Sequence, residues 1–257
     1  VTGTLENSLF NGTFKHKDEI EFFMQHEGGH ISVDNRFEIP MLEEIAAKLD
    51  RKQPVIMRIN LDVGAETHPM VLTSGYDQQF GISIGFAEEA LQQIYNSPHL
   101  LFSGVHVHIG SQIKDPDRYK KAMSECADFL NAHPASVERE IVFDAGGGFF
   151  SPYAGDEVDH ELKVYADAIH EGIKEHWSGS YKVMIEPGRA LVNNPGVILY
   201  TAGDSNYDLC KSQRDGDYHK WKWFDYCLYH AIHKLSKREH ASYKIYTGLG
   251  GTKLKNT

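Results

Sequence analysis

Cysteine is scarce in this 257-residue chain. Cys126, Cys210 and Cys227 are odd in number and lack metal-ligand spacing, which excludes a disulfide framework or zinc module and fits a reducing, cytoplasmic setting. Positive charge is also short. The 26 lysines and arginines face 36 aspartates and glutamates, a net charge of −10, which argues against nucleic acid or an anionic membrane as the main partner. No signal peptide and no apolar run of about 18 residues is visible, so a soluble chain without membrane association is expected. Repeats and low-complexity tracts are lacking as well. Only from about Gly203 to Lys222 do polar and charged residues crowd together without period, reading as a connection or exposed insertion. The sequon Asn11-Gly12-Thr13 reads as chance in a reducing compartment. The length suffices for a full core, as one large domain or one plus a fragment.

What the chain does have is a rhythm of short apolar runs separated by amphipathic stretches. Ser8-Leu9-Phe10, Ile31-Ser32-Val33, Val55-Ile56-Met57-Arg58-Ile59, Val105-His106-Val107-His108, Ile141-Val142-Phe143 and Val183-Met184-Ile185 are each short enough for a buried parallel strand. Between them, Lys17 to His26 places Ile20, Phe23 and Met24 on one helical face, and Ile39, Leu42, Ile45, Ala46 and Leu49 make a second stripe. Leu91, Ile94 and Tyr95 make a third. Tyr119, Met123, Cys126, Phe129 and Leu130 make a fourth, entered through Asp115-Pro116-Asp117. A fifth runs from about His160 to Trp177, with Leu162, Tyr165, Ala166, Ile169 and Ile173 expected inward. Strands alternating with helices predict a parallel sheet with right-handed crossovers, either a barrel or a doubly wound sheet.

Three loop strings follow strands at equivalent places: His108-Ile109-Gly110-Ser111-Gln112, Asp144-Ala145-Gly146-Gly147-Gly148 and Glu186-Pro187-Gly188-Arg189. Each alone also reads as a turn, a packed histidine or a local Glu186–Arg189 ion pair. In a barrel, however, chemistry sits on the loops after the strands, and phosphate is commonly held by the last two. Consecutive glycines let backbone N–H groups approach an anion with no Cβ in the way, and Arg189 can add a forked, charge-assisted contact. The three strings together therefore predict one site.

These strings resemble the pyridoxal-phosphate decarboxylases of the alanine-racemase fold, the group of diaminopimelate, ornithine and biosynthetic arginine decarboxylases, with diaminopimelate decarboxylase the nearest local match. The resemblance runs from about Phe10 to Tyr200. Phe10-Asn11-Gly12-Thr13-Phe14-Lys15 stands where the family has a strand, a glycine and a lysine, and Gln79-Phe80-Gly81-Ile82 where it has Lys-Phe-Gly-Ile. Leu228-Tyr229-His230-Ala231-Ile232-His233 is similar to the Leu-Tyr motif near the substrate's distal end. The resemblance implies an α/β fold, a (β/α)8 TIM-type barrel lacking its first two strands. Residues 1–202 would form the pyridoxal-phosphate-binding barrel domain with strands 3 to 8. Residues 203–257 would form a connection and the start of a C-terminal β domain, of which little or none is present. A six-strand arc leaves two open edges, so the chain is expected to be part of a longer protein.

The same resemblance implies roles. Glu186 would keep the pyridine nitrogen of pyridoxal 5'-phosphate protonated, and His108 would lie flat against the ring. Ser111, Gly146, Gly147, Gly148 and Arg189 would grip the phosphate, and Gly188 would also bind the cofactor. Arg58 would support the cofactor from below and needs a carboxylate partner, Glu186 or another. Asp225 stands where diaminopimelate decarboxylases carry an arginine four residues before Tyr229. Both would face the substrate's distal end, the aspartate favouring an amine there. No metal is implied. The implied activity is decarboxylation of a diaminopimelate-, ornithine- or lysine-like amino acid, or of a siderophore or specialised-metabolite intermediate, by a homodimer with shared active sites. The lysine that joins the cofactor and the proton-donating cysteine of the family have no counterpart here: no lysine sits in a Lys-Ala-Asn setting, and Tyr246-Thr247-Gly248-Leu249-Gly250-Gly251 occupies the cysteine's place. The alternative is a non-catalytic homologue that binds cofactor or a protein partner. Retention of Glu186 favours the enzyme, since a pure binder needs no protonated ring.

Overall fold

Side chains of different character alternate along the strands, and this period of two builds a sheet with unlike faces. The computed structural model describes residues 5–61, 80–133, 140–152 and 161–192. Its elements are β1 (Leu9–Phe10), α1 (Lys17–Gln25), β2 (His30–Val33), α2 (Glu38–Lys48), β3 (Gln53–Asn60), β4 (Ile82–Ser83), α3 (Ile84–Tyr95), β5 (Leu100–His106), α4 (Asp117–Asn131), β6 (Ile141–Asp144), α5 (Leu162–His176), β7 (Tyr181–Met184) and α6 (Gly188–Val192). All the strands lie in the compact unit formed by residues 1–151 and 160–191. The expected 203–257 segment lies outside the described residues.

Every strand pairing is parallel, and the order is β1-β2-β3-β5-β6-β7 with the short β4 beside β3. A doubly wound sheet reverses its order at a switch point, whereas a barrel arc does not. The sequential order therefore decides for part of a TIM-type barrel. One face of the arc carries Ile31, Val33, Val55, Met57, Ile59, Val105, Phe143 and Ala145, all within the apolar core that the helices cover. Of the intervening positions, Ser32, Arg58, His106 and Asp144 are buried and polar, whereas Ile56 and Val142 are buried and apolar.

Four of the five apolar helical stripes are seated as expected. Ile20, Phe23 and Met24 of α1, Ile39, Leu42, Ile45 and Ala46 of α2, Leu91 and Ile94 of α3, and Tyr119, Met123, Cys126 and Leu130 of α4 are buried. In α5 the stripe is Tyr165, Ala168, Ile169, Gly172 and Ile173. Leu162, expected inward, is 56% exposed, and Ala166 is exposed too. Counting forward from Tyr165 rather than Leu162 gives the i, i+3, i+4 face that meets α4. Strand ends also differ slightly. Val107 and His108 lie just past β5, and Ile185 just past β7. β4 has two residues, too few to carry a period.

Candidate functional site

The strand register sets the site. Arg58 of β3 pairs in register with His106 of β5, His106 with Asp144 of β6, and Asp144 with Met184 of β7. Because side chains alternate, His108, Gly146 and Glu186 each stand two residues further along and occupy the next tier of the same face. Asn11, just beyond β1, reaches this tier from the other side of the arc. Its Nδ2 donates to both carboxylate oxygens of Glu186, at 2.8 and 3.1 Å.

A cavity of about 460 Å³ opens here, walled by Asn11, Gly12, Thr13, Arg58, Phe80, His106, His108 and Glu186. A larger space of about 580 Å³ lies beside β1 and α1, with Asp18 and Glu19 as its polar walls. It lacks convergent polar groups of opposite kinds, so the first cavity is the candidate site.

Arg58 is buried, and its partner is Asp34 rather than Glu186: Nη1 donates to Oδ1 at 2.6 Å. Asp34 stands two residues past Ser32, whose register partner is Ile56, so it is level with Arg58 on the neighbouring strand. That proximity decides the pairing. The Phe80 ring lies 5.4 Å from the guanidinium carbon, a cation–π distance. The Asp34 amide in turn donates to Glu38, which binds Lys15 at 2.9 Å. Lys15 also donates to the Gly12 carbonyl, fixing a loop that walls the cavity. Burial raises the Glu38 carboxyl, an effect that Lys15 opposes.

His108 accepts a hydrogen bond from the Gly147 N–H at 3.3 Å on Nδ1, which leaves its proton on Nε2. Burial, and next the Arg58 charge, push its pKa below the ordinary histidine range. A neutral, flat ring results. The Glu186 N–H donates to the Gly146 carbonyl at 2.7 Å. Glu186, His108 and the glycine loop are thus directly joined.

The glycine loop needs its glycines. Gly146 and Gly148 sit at φ +67° and +93°, and a Cβ on Gly147 would come within 2.4 Å of the Glu186 carbonyl oxygen. Two of the expected anion donors are already used inside the protein, however. The Gly146 N–H meets Asp144 Oδ1 at 2.9 Å, and the Gly147 N–H meets His108. The loop is further tied down by Tyr119, whose hydroxyl donates to the Gly147 carbonyl at 2.8 Å. Ser111 is half-buried on the loop after β5, and Gly188 and Arg189 are exposed at the start of α6. Asp225, Tyr229 and Gln79 lie outside the described residues.

Three residues to which the sequence assigns no individual role belong to this site: Asn11, His106 and Asp144. Gln112 is a fourth contributor, at φ +57°. Its amide clamps Ser151, donating to the carbonyl at 2.7 Å and accepting from the N–H at 3.0 Å, and so joins the loops after β5 and β6. Period-two alternation would have found His106 and Asp144. Asn11 stands in a family-like string, but nothing local points it at Glu186.

The arrangement fits a flat aromatic cofactor with a basic ring nitrogen. Glu186 offers an oriented carboxylate, His108 a neutral ring face, and the buried Asn11 Oδ1 an acceptor with no partner among the described residues.

Comparison with known proteins agrees. The family "Pyridoxal-dependent decarboxylase, pyridoxal binding domain" matches residues 3–193. Diaminopimelate decarboxylase of Bacillus subtilis (strain 168) is 34% identical over 205 residues, 77% of this chain and 47% of the relative. That of Staphylococcus aureus (strain COL) is 34% identical over 200 residues, 76% of this chain and 46% of the relative. Among solved structures, diaminopimelate decarboxylase from Helicobacter pylori complexed with L-lysine superposes with a TM-score of 0.67 at 28% identity, covering 74% of this chain and 47% of that one. The chain spans about half the length of the curated relatives it matches.

Proposed function

Since this chain belongs to the pyridoxal-dependent decarboxylases and carries their pyridoxal binding domain, we propose that the full-length protein removes a carboxylate from an amino acid of the diaminopimelate class. Pyridoxal phosphate is the cofactor of this domain, and when bound it supplies an electron sink for the pair left behind as carbon dioxide departs. Everything else falls to the chain's own residues.

The observation that carries the proposal is that Glu186 and His108 wall one cavity and are both hydrogen-bonded to the Gly146–Gly147 loop. Glu186 holds a proton at the ring nitrogen, because an adjacent carboxylate favours the charged form of a base. Asn11 aims that carboxylate by binding both its oxygens. His108, kept neutral by burial and by Arg58, limits tilt of the ring without adding charge. Arg58, held by its pairing with Asp34, supports the lower wall. Ser111, Gly148, Gly188 and Arg189 take the phosphate, with Gly146 and Gly147 contributing only if they exchange their present partners.

For the substrate, the named activity of the two relatives at 34% identity favours diaminopimelate. Asp225 and Tyr229 remain the proposed contacts to its distal end, and a homodimer the proposed assembly. The test is carbon dioxide release by the full-length protein from diaminopimelate, lysine, ornithine and arginine. Release from diaminopimelate above the other three is expected. Glu186→Gln is expected to keep the cofactor while losing about 100-fold or more in turnover. Unchanged turnover in that variant would remove the role given to Glu186, and no release from any of the four would remove the proposed activity.

A further inference from the structure

Among the described residues, two buried atoms beneath the cavity have no partner at hydrogen-bond distance, Nε2 of His106 and Oδ2 of Asp144, and Asp144 also faces the Glu186 carboxylate. His106 and Asp144 are both 0% exposed, where each such atom left unpaired costs about 1–3 kcal/mol. One ring nitrogen of His106 and one carboxylate oxygen each of Asp144 and Glu186 lie within 4.8 Å of one another. A tetrahedral zinc would need donors about 3.4 Å apart, and His106 Nε2 is already 3.9 Å from Glu186 Oε1. A proton is the smaller solution, and the two orphaned atoms belong to side chains whose ligand atoms lie within 4.8 Å of each other.

The other ends of both side chains are anchored. His106 Nδ1 lies 3.0 Å from Ser32 Oγ, and Asp144 Oδ1 accepts from the Gly146 N–H. If Nδ1 carries the proton and donates to Ser32, Nε2 is an acceptor and Asp144 must be the donor. The pair is then neutral. If Ser32 donates instead, Nε2 carries the proton and Asp144 is an anion beside Glu186. An imidazolium with an aspartate anion is the remaining choice. The titratable groups facing the pair are Arg58 from β3, Lys15 from the β1–α1 loop, the neutral His108 beyond β5 and Glu186 beyond β7. Arg58 and Lys15 are already neutralised by Asp34 and Glu38, so a second buried anion has no cation of its own. A second cation would face Arg58.

We propose that Asp144 and His106 are positioning residues that hold one proton between them as a neutral pair beneath Glu186, leaving Glu186 as the single anion of the cluster. The titration of both groups agrees. Burial first, and Glu186 next, push the Asp144 carboxyl up to about 7. Burial first, then Arg58 and His108, push His106 down to about 3. A single anion matters because the proposed function asks Glu186 alone to match one protonated ring nitrogen. The inference rests on that reading for its consequence, and on the buried atoms for its substance.

The test is the nitrogen NMR of 15N-histidine-labelled full-length protein with cofactor bound and no substrate. The His106 signals are assigned by their loss in His106→Gln or their shift in Ser32→Ala. The expected result is a neutral ring from pH 5.5 to 6.5, with the proton on Nδ1 and an unprotonated, hydrogen-bonded Nε2. Asp144→Asn, whose amide can still donate, is expected to keep that tautomer. Asp144→Leu, which cannot, is expected to move the proton to Nε2, towards Glu186. A wild-type imidazolium, a wild-type Nε2–H tautomer, or a proton that moves in Asp144→Asn would overturn the proposal. Because no substrate is present, failure here is distinguishable from absence of decarboxylation.

Discussion

Asp144 and His106 make a prediction that neither makes alone. In the folded protein Asp144 titrates near 7 and His106 near 3, from ordinary values of 3.8 and 6.5. Between about pH 4 and 6.5 the folded pair holds one proton, on Asp144. The unfolded chain also holds one, on the histidine. Proton binding is equal, so the pair adds almost no pH dependence to stability in this window. Removing one member uncovers the other. In His106→Gln the raised Asp144 remains, whose stabilisation is present below pH 4 and is lost as pH rises towards 7. In Asp144→Asn the depressed His106 remains, whose stabilisation is present above pH 6.5 and is lost as pH falls. Relative to wild type, the two variants should therefore slope in opposite directions, each by on the order of 3 kcal/mol across the window. Denaturant midpoints of the full-length proteins at pH 4.5 and 6.5 measure this, and parallel slopes would defeat it.

Among the elements, α4 and α5 are the pair on which the site leans. Tyr119 of α4 holds the Gly147 carbonyl, and Tyr165 of α5 donates to the Ile113 carbonyl at 2.8 Å. The two rings meet edge to face at 5.6 Å. The helices approach closely because α5 carries Gly172, where a Cβ would come within 2.2 Å of the Lys120 backbone oxygen. Alanine favours a helix over glycine by about 1 kcal/mol, but a backbone clash of that depth cannot be relieved by a rotamer and costs about 1–3 kcal/mol. Gly172→Ala should therefore be net destabilising and weaken cofactor retention, read as a lower denaturant midpoint and a larger cofactor dissociation constant. A stabilised variant would show that the helices can part freely. The α5 stripe also shows where periodicity misleads. Leu162 and Ala166 fit a three-to-four spacing on paper, yet they fall on the outer side of the face that Tyr165, Ile169 and Ile173 present to α4.

For the molecule as a whole, the barrel arc and the three loops were legible because each depends on local signals: alternation, helical stripes and glycine strings. The wiring of the cavity was not. Arg58 announces only that it needs a carboxylate, and choosing Asp34 over Glu186 takes the register between β2 and β3. Asn11 lies 175 residues from the Glu186 it orients, a contact that only the curvature of the arc creates. Because the walls of this site come from the ends of β1, β3, β5 and β7 and from the loop before β4, a bound cofactor ties the arc together from one side to the other. Such a ligand can bind only the folded protein and should stabilise it by about 2.7 kcal/mol at a concentration one hundred times its dissociation constant. For a protein larger than this domain that corresponds to a rise in melting temperature of roughly 3–5 °C. Differential scanning calorimetry of the full-length protein with and without pyridoxal phosphate should show that rise. Inorganic phosphate, which can occupy only the anion end, should produce a smaller one. An equal rise with phosphate would mean that the Glu186 and His108 end of the cavity contributes nothing to holding the ring.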